Sequence, residues 1–130
     1  MSINRSNQDG FKWAFPAKIV KVVDGDTVDL VLDTGLHTTR TERCRLLGVN
    51  APEMKGNSRL EGEASRLWVV QWFQDAAAFQ STPDQIEWPL LVETLKDPDV
   101  FGRYLVTIYR KADGSNLNYQ IVESGFAKLR

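Results

Sequence analysis

Two runs crowded with β-branched residues lie within residues 17–32: Ile19, Val20, Val22 and Val23, then Thr27, Val28 and Val31. Asp24-Gly25-Asp26 separates them, so two strands joined by a turn are expected. A third strand is expected over 38–47, where Cys44 and Leu46 alternate with Arg43 and Arg45. Side chains two apart on a strand point the same way, which places both arginines on one face. The period then changes. Ser58-Arg59-Leu60-Glu61 has capping-box spacing, and Ala64, Leu67, Trp68, Val69, Trp72, Phe73 and Ala76 recur as the apolar face of a helix reaching about Ala78. Residues 80–89, with Ser81-Thr82-Pro83-Asp84, read as a loop, and 90–95 and 104–109 as two further strands. Ala112-Asp113-Gly114 is a turn signal, after which Ser115 or Asn116 caps a short helix over 117–124 that ends at Gly125.

Five short strands, with a long helix between the third and fourth and a short C-terminal helix, predict a mainly β chain folded as an OB-fold barrel. A ferredoxin-like or other α+β layout could use similar elements. Residues 1–14 read as a polar N-terminal segment and 15–130 as one domain. The length of 130 residues suits a single core. With 42% hydrophobic and 25% charged residues the composition is that of an ordinary globular protein. No apolar run approaches the roughly 18 residues a membrane span needs, so no membrane partner is expected. The first fifteen residues have no secretory apolar region, which reads as a cytoplasmic chain or a mature form whose signal has been cut.

The net charge of −1 gives no global positive field for a polyanion, so any phosphate-binding cations must be concentrated locally. Three polar clusters interrupt the strand pattern. Asp24-Gly25-Asp26 could present carboxylates to a hard cation, or could be a polar turn. Arg45 through Glu53 places a planar cation at one end and Asn50, a free carbonyl and Glu53 at the other; alone it could be an exposed strand residue and a loop acid. Asp99-Val100-Phe101-Gly102-Arg103 could clamp a phosphate or be a β-turn with a solvated arginine. His37 is the only histidine and has no nearby partner. Cys44 reads as a buried structural thiol, and Trp68, Trp72 and Phe73 as core; Trp13 and Trp88 fall outside any pattern.

Taken in order, DGDTV at 24–28, RLLGVNAPE at 45–53, GEAS at 62–65, FGRYLVTIY at 101–109 and NLNYQIVESGFAK at 116–128 resemble the staphylococcal nuclease (thermonuclease) family. The resemblance covers nearly everything from residue 17 to residue 130. It implies a five-stranded OB-type barrel and calcium-dependent hydrolysis of phosphodiesters in DNA and RNA, with one Ca2+ per site. By match to the family's motifs, Asp26, Asn50 and the backbone carbonyl of Ala51 hold the metal, and Asp24 stands behind them. Glu53 activates the attacking water, and Arg45 and Arg103 bind the phosphate. Phe101 and Lys55 match or adjoin weaker substrate contacts.

Three departures accompany the resemblance. Asn50 replaces an acidic ligand, which should weaken calcium binding. Phe101 replaces a position often held by tyrosine. The sequence stops at Arg130, where longer members continue with aromatic residues near the nucleotide. The expected partner is nucleic acid and the expected state a monomer. The alternative is a catalytically weakened module that binds nucleic acid or nucleotides.

Overall fold

A computed structural model describes residues 2–7, 10–80 and 88–130, with side chains from Trp13 onward. Its elements are β1 (Ser2–Asn7), β2 (Gly10–Asp24), β3 (Thr27–Gly35), β4 (Thr38–Leu46), β5 (Val49–Asn50), α1 (Arg59–Asp75), β6 (Leu90–Lys96), β7 (Tyr104–Arg110), α2 (Leu117–Glu123) and β8 (Lys128–Leu129). A 3-10 turn at Gly56–Ser58 leads into α1. Most of the loop expected over 80–89 lies outside the described residues.

Strands β2, β3, β4, β7 and β6 close into the five-stranded barrel that the element order predicted. Four of the five pairings are antiparallel, and β4–β7 is parallel. Closure depends on β2, which pairs with β6 through residues 13–17 and with β3 through residues 17–24. Register shifts after Ile19 and Val22 bend that strand, so a single run can serve two neighbours. Pairing also reaches back through Gly10 to β1, within the segment read as polar.

The core is the barrel interior capped by both helices. Ile19, Leu30, Leu46 and Ile108 from the strands meet Phe73 from α1 and Leu117 and Ile121 from α2, all fully buried. Cys44 belongs to this core as expected. Burial, reinforced by the charges of Glu42 and Asp29, pushes its thiol up to about 12, which leaves negligible nucleophilic thiolate at neutral pH.

Helix α1 departs from the expected face in an informative way. Its buried stripe is Gly62, Ser65, Val69, Trp72 and Phe73, while Ala64 and Leu67 are exposed. At about 100° per residue, Leu67 lies on the far side of the helix from Val69. Two small residues, Gly62 and Ser65, fill the contact that the apolar count assigned to Ala64 and Leu67.

The capping box does not form. Ser58 ends the 3-10 turn at φ −96°, ψ 9°, and its hydroxyl donates to the Glu53 carbonyl at 2.8 Å and the Lys55 carbonyl at 3.3 Å. It therefore closes the preceding loop instead of accepting from the helix. The helix also ends at Asp75, short of Ala78, because Ala77 turns left-handed at φ 51°. The released chain then lies along β2, where the Ile19 N–H donates to the Ala78 carbonyl at 2.8 Å. At α2 the cap is Asn116, whose side chain accepts from the Tyr119 N–H at 3.1 Å.

Candidate functional site

The first polar cluster sits where β2 turns into β3. Asp26 is buried, and its carboxylate is held from three sides. One oxygen accepts the Ala51 N–H at 3.0 Å and faces an Arg45 Nη2 at 3.3 Å; the other accepts the Thr27 hydroxyl at 3.0 Å. Burial alone would raise this carboxyl. Hydrogen bonding with Asp24, the Ala51 N–H and the Arg45 charge together hold it below the ordinary range. Asp24 takes the opposite shift. Burial, then the hydrogen bond to Asp26 and its negative charge, push Asp24 up to about 6. In this pair the remaining proton therefore resides on Asp24 and the ionised oxygens on Asp26.

A glycine positions this turn through space and not through φ, since the φ of Gly25 is not positive. A Cβ there would strike the Ser65 hydroxyl and come within 2.7 Å of the Ala51 Cβ. Gly25 is thus a close-approach residue that seats the acidic turn against α1. Gly102 is the reverse: it turns the chain at φ 81° with open space around it.

Arg45 projects from β4, opposite Thr27 on β3. Besides Asp26, it donates from Nη2 to the Val49 carbonyl at 3.2 Å, while its buried Nε has no acceptor among the described residues. Arg103 follows the β6–β7 turn. It donates from Nε to an Asp97 carboxylate oxygen at 2.6 Å, with Nη2 also 2.6 Å from that oxygen. The Asp99 N–H, followed by Arg103, holds the Asp97 carboxyl below its usual range. Arg45 and Arg103 line one pocket of about 250 Å3, together with Gly48, Asp97, Asp99 and Arg130.

Asn50 and Ala51 line a different, more open pocket of about 550 Å3 that also contains Glu61 and Lys128. Asp26 is the joint between the two pockets, bonded to Ala51 on one side and Arg45 on the other. Asn50 is exposed on β5, paired with Lys128 of β8. Glu53, Lys55 and Phe101 are exposed, Phe101 completely so. No hydrogen bond or ion pair joins the Glu53 side chain to the Asp26–Arg45 pair among the described residues. Nor do those residues contain a group of three His, Cys, Asp or Glu side chains placed to hold a metal.

The first and fourth GEAS positions, Gly62 and Ser65, are the ones buried on α1 and explain that motif. Gly62 lets α1 lie against the loop carrying Glu53, because a Cβ at 62 would strike the Glu53 carbonyl oxygen and come within 2.6 Å of its carbon. Neither atom is the end of a flexible side chain, so the loop itself must give way. Gly62→Ala is expected to cost about 1–3 kcal/mol and to shift Glu53; urea denaturation and a cleavage assay on the same variant check both parts.

Sequence reasoning missed three residues. Asp97 binds Arg103, and the only signal was an Asp-Pro step in a turn. Arg130 shares the arginine pocket; nothing in its local sequence marks it. Asn118 reads as one more helix residue. Buried, it accepts the Ile108 N–H at 3.1 Å and donates to the carbonyls of Leu47 at 3.0 Å and Val106 at 2.9 Å. It ties α2 to β7 and to the turn between Arg45 and Asn50. A separate apolar pocket of about 350 Å3 at the barrel mouth, lined by Trp13, Phe15, Cys44 and Tyr104 among others, contains none of these groups. Trp88, also unassigned from sequence, has the Lys18 ammonium 4.2 Å from its ring centroid.

A small OB-type barrel carrying an acid–arginine knot beside its long helix is the class of protein defined by this geometry. The profile of the family described as "Staphylococcal nuclease homologue" matches residues 43–130, more than half of the chain. The chain therefore belongs to that family. The match begins after the acidic turn, so Asp24 and Asp26 lie outside it. The chain is also 28% identical over 124 residues to an uncharacterized protein of Methanocaldococcus jannaschii, covering 86% of this chain and 58% of that protein. It thus spans little more than half the length of that relative. No helix among the described residues is long and apolar enough to cross a membrane.

Proposed function

We propose that the chain is a calcium-dependent phosphodiesterase that hydrolyses DNA or RNA. The observation that carries this reading is the buried knot in which Asp26 bonds both Arg45 and the Ala51 N–H, with Arg103 in the same pocket as Arg45. Two guanidiniums converging on one concavity suit a phosphodiester, whose oxygens match the planar fork.

Asp26, Asn50 and the Ala51 carbonyl are the groups to hold a metal. The donors are all oxygens, without His or Cys, which fits a hard ion such as calcium. Burial first, and then the neighbouring Asp26, raise Asp24 to about 6, and a cation beside the pair would offset both. With a neutral amide at position 50, binding should fall in the range of the weak extracellular-type sites, about 10⁻⁴–10⁻³ M. A bound calcium would supply positive charge against the charge that develops on the phosphate.

The remaining work belongs to the side chains. Arg45 and Arg103 have donors left over from their carboxylate bonds, and these bind and orient the phosphate oxygens. Glu53, exposed on its loop, accepts a proton from water at its carboxylate.

Cleavage of a fluorescent single-stranded DNA is expected to rise with calcium through the millimolar range and to vanish with chelator and in Glu53→Ala. Asn50→Asp should shift the calcium midpoint downward. Absence of cleavage at about 10 mM calcium, well above weak-site affinities, in wild type and Asn50→Asp alike would overturn the enzyme reading. A second reading is a binding module that has lost efficient catalysis. It is favoured by the exposed neutral Asn50 and by the lack of a three-acid cluster among the described residues. Retained oligonucleotide binding without cleavage identifies it.

A further inference from the structure

The arginine pocket contains a cation that neither the motifs nor the family match assigns. Arg130 lines it beside Arg45 and Arg103. Its place is fixed by backbone pairing: β8 runs antiparallel to β5, and the Arg130 N–H donates to the Gly48 carbonyl at 3.0 Å. Gly48 lies in the turn just beyond Arg45, so the strand that carries Asn50 also delivers Arg130 to the phosphate pocket.

Charge gives that placement its consequence. Arg45 is paired with Asp26 and Arg103 with Asp97, while Asp99 adds a further carboxylate to the pocket wall. Without Arg130, two arginines face three carboxylates, and an incoming phosphate meets a net negative site. Arg130 brings a third guanidinium to that wall, and a donor remains for an anion. Arg103 has the nitrogen not engaged with Asp97. Arg130 itself makes no ion pair among the described residues. A chain with a net charge of −1 has no global field to compensate a hostile pocket.

We propose that Arg130 is a third phosphate-binding arginine and decides whether this pocket accepts the phosphate backbone of a single-stranded nucleic acid. The inference rests on the nucleic-acid reading of the site but not on cleavage. Binding can therefore test it where cleavage cannot intervene.

The test is fluorescence anisotropy of a labelled single-stranded DNA octamer with the full chain in chelator, titrated at several salt concentrations. Wild type, Arg130→Ala, Arg130→Lys and Arg130→Glu are compared, each checked for folding by circular dichroism. The backbone bond to Gly48 does not depend on the side chain, so the variants should keep the strand pairing. Arg130→Ala should weaken binding at least tenfold at low salt and flatten the slope of log K against log salt by about 0.7, the value for one lost single-strand contact. Arg130→Lys should keep the slope, and Arg130→Glu should abolish binding. A folded Arg130→Ala with wild-type affinity and slope would overturn the proposal. So would the absence of octamer binding by wild type at low salt, an outcome that leaves the calcium-dependent cleavage test to stand or fall by itself.

Discussion

Arg45→Ala should lower calcium-dependent cleavage of single-stranded DNA by about 10²–10³-fold, the usual cost of removing one group aimed at transition-state charge. The loss should fall mainly on kcat, because a phosphate gains charge as it is attacked and the guanidinium binds that form better. Arg45→Lys separates charge from shape: it keeps a cation but loses the fork, so only partial rescue is expected. The variant also strips Asp26 of its only ion-pair partner among the described residues, so a structural effect has to be separated from the chemical one. Burial raises the Asp26 carboxyl, and the Arg45 charge is among the influences that hold it down. A carboxylate whose folded pKa is depressed contributes stability above its unfolded value, and that contribution disappears as pH falls through the folded one. Arg45→Ala should therefore be less stable than wild type at neutral pH, with the gap narrowing below about pH 4. Thermal melts across that range measure the stability part, and kcat at neutral pH well below the melting temperature measures the chemistry.

Asn118→Ala should be the most damaging single change to the fold outside the apolar core. It deletes one acceptor and two donated bonds inside the protein. The Val106 carbonyl retains the Leu47 N–H at 2.8 Å, so it is not left bare. The buried Ile108 N–H has no such substitute. At about 1–3 kcal/mol for a buried group left unsatisfied, a total of about 2–4 kcal/mol is expected, a sizeable part of the about 5–15 kcal/mol that holds a domain together. Urea denaturation should show a lowered midpoint with an unchanged slope. Because Asn118 also anchors Leu47, which lies between Arg45 and Asn50, residual activity at low temperature should fall further than the folded fraction explains. A change at a local helix cap, Asn116→Ala, should cost only about 1 kcal/mol and leave activity per folded molecule intact.

The sequence determined the elements and the residue types. β-branched density and the switch from strand to helical period located the five barrel strands and both helices, because those patterns reflect backbone preferences that act over a few residues. The motif order determined the family, and it singled out Asp26, Arg45, Ala51 and Arg103, which the fold brings together. Tertiary structure decided what local pattern cannot encode. Gly62 and Ser65 replace Ala64 and Leu67 on the buried face of α1, since the helix must approach a loop too closely for larger side chains. Ser58 closes a loop instead of capping, because it is itself the end of a 3-10 turn and lacks the extended backbone a cap requires. Gly25 serves space and Gly102 serves φ, a distinction that depends on what packs above each. Asn118 and Arg130 were illegible because Leu47 and Gly48 come alongside them only when the barrel closes and β5 pairs with β8; Asp97 meets Asp99 and Arg103 within one turn, where no local pattern separates a paired acid from a solvated one.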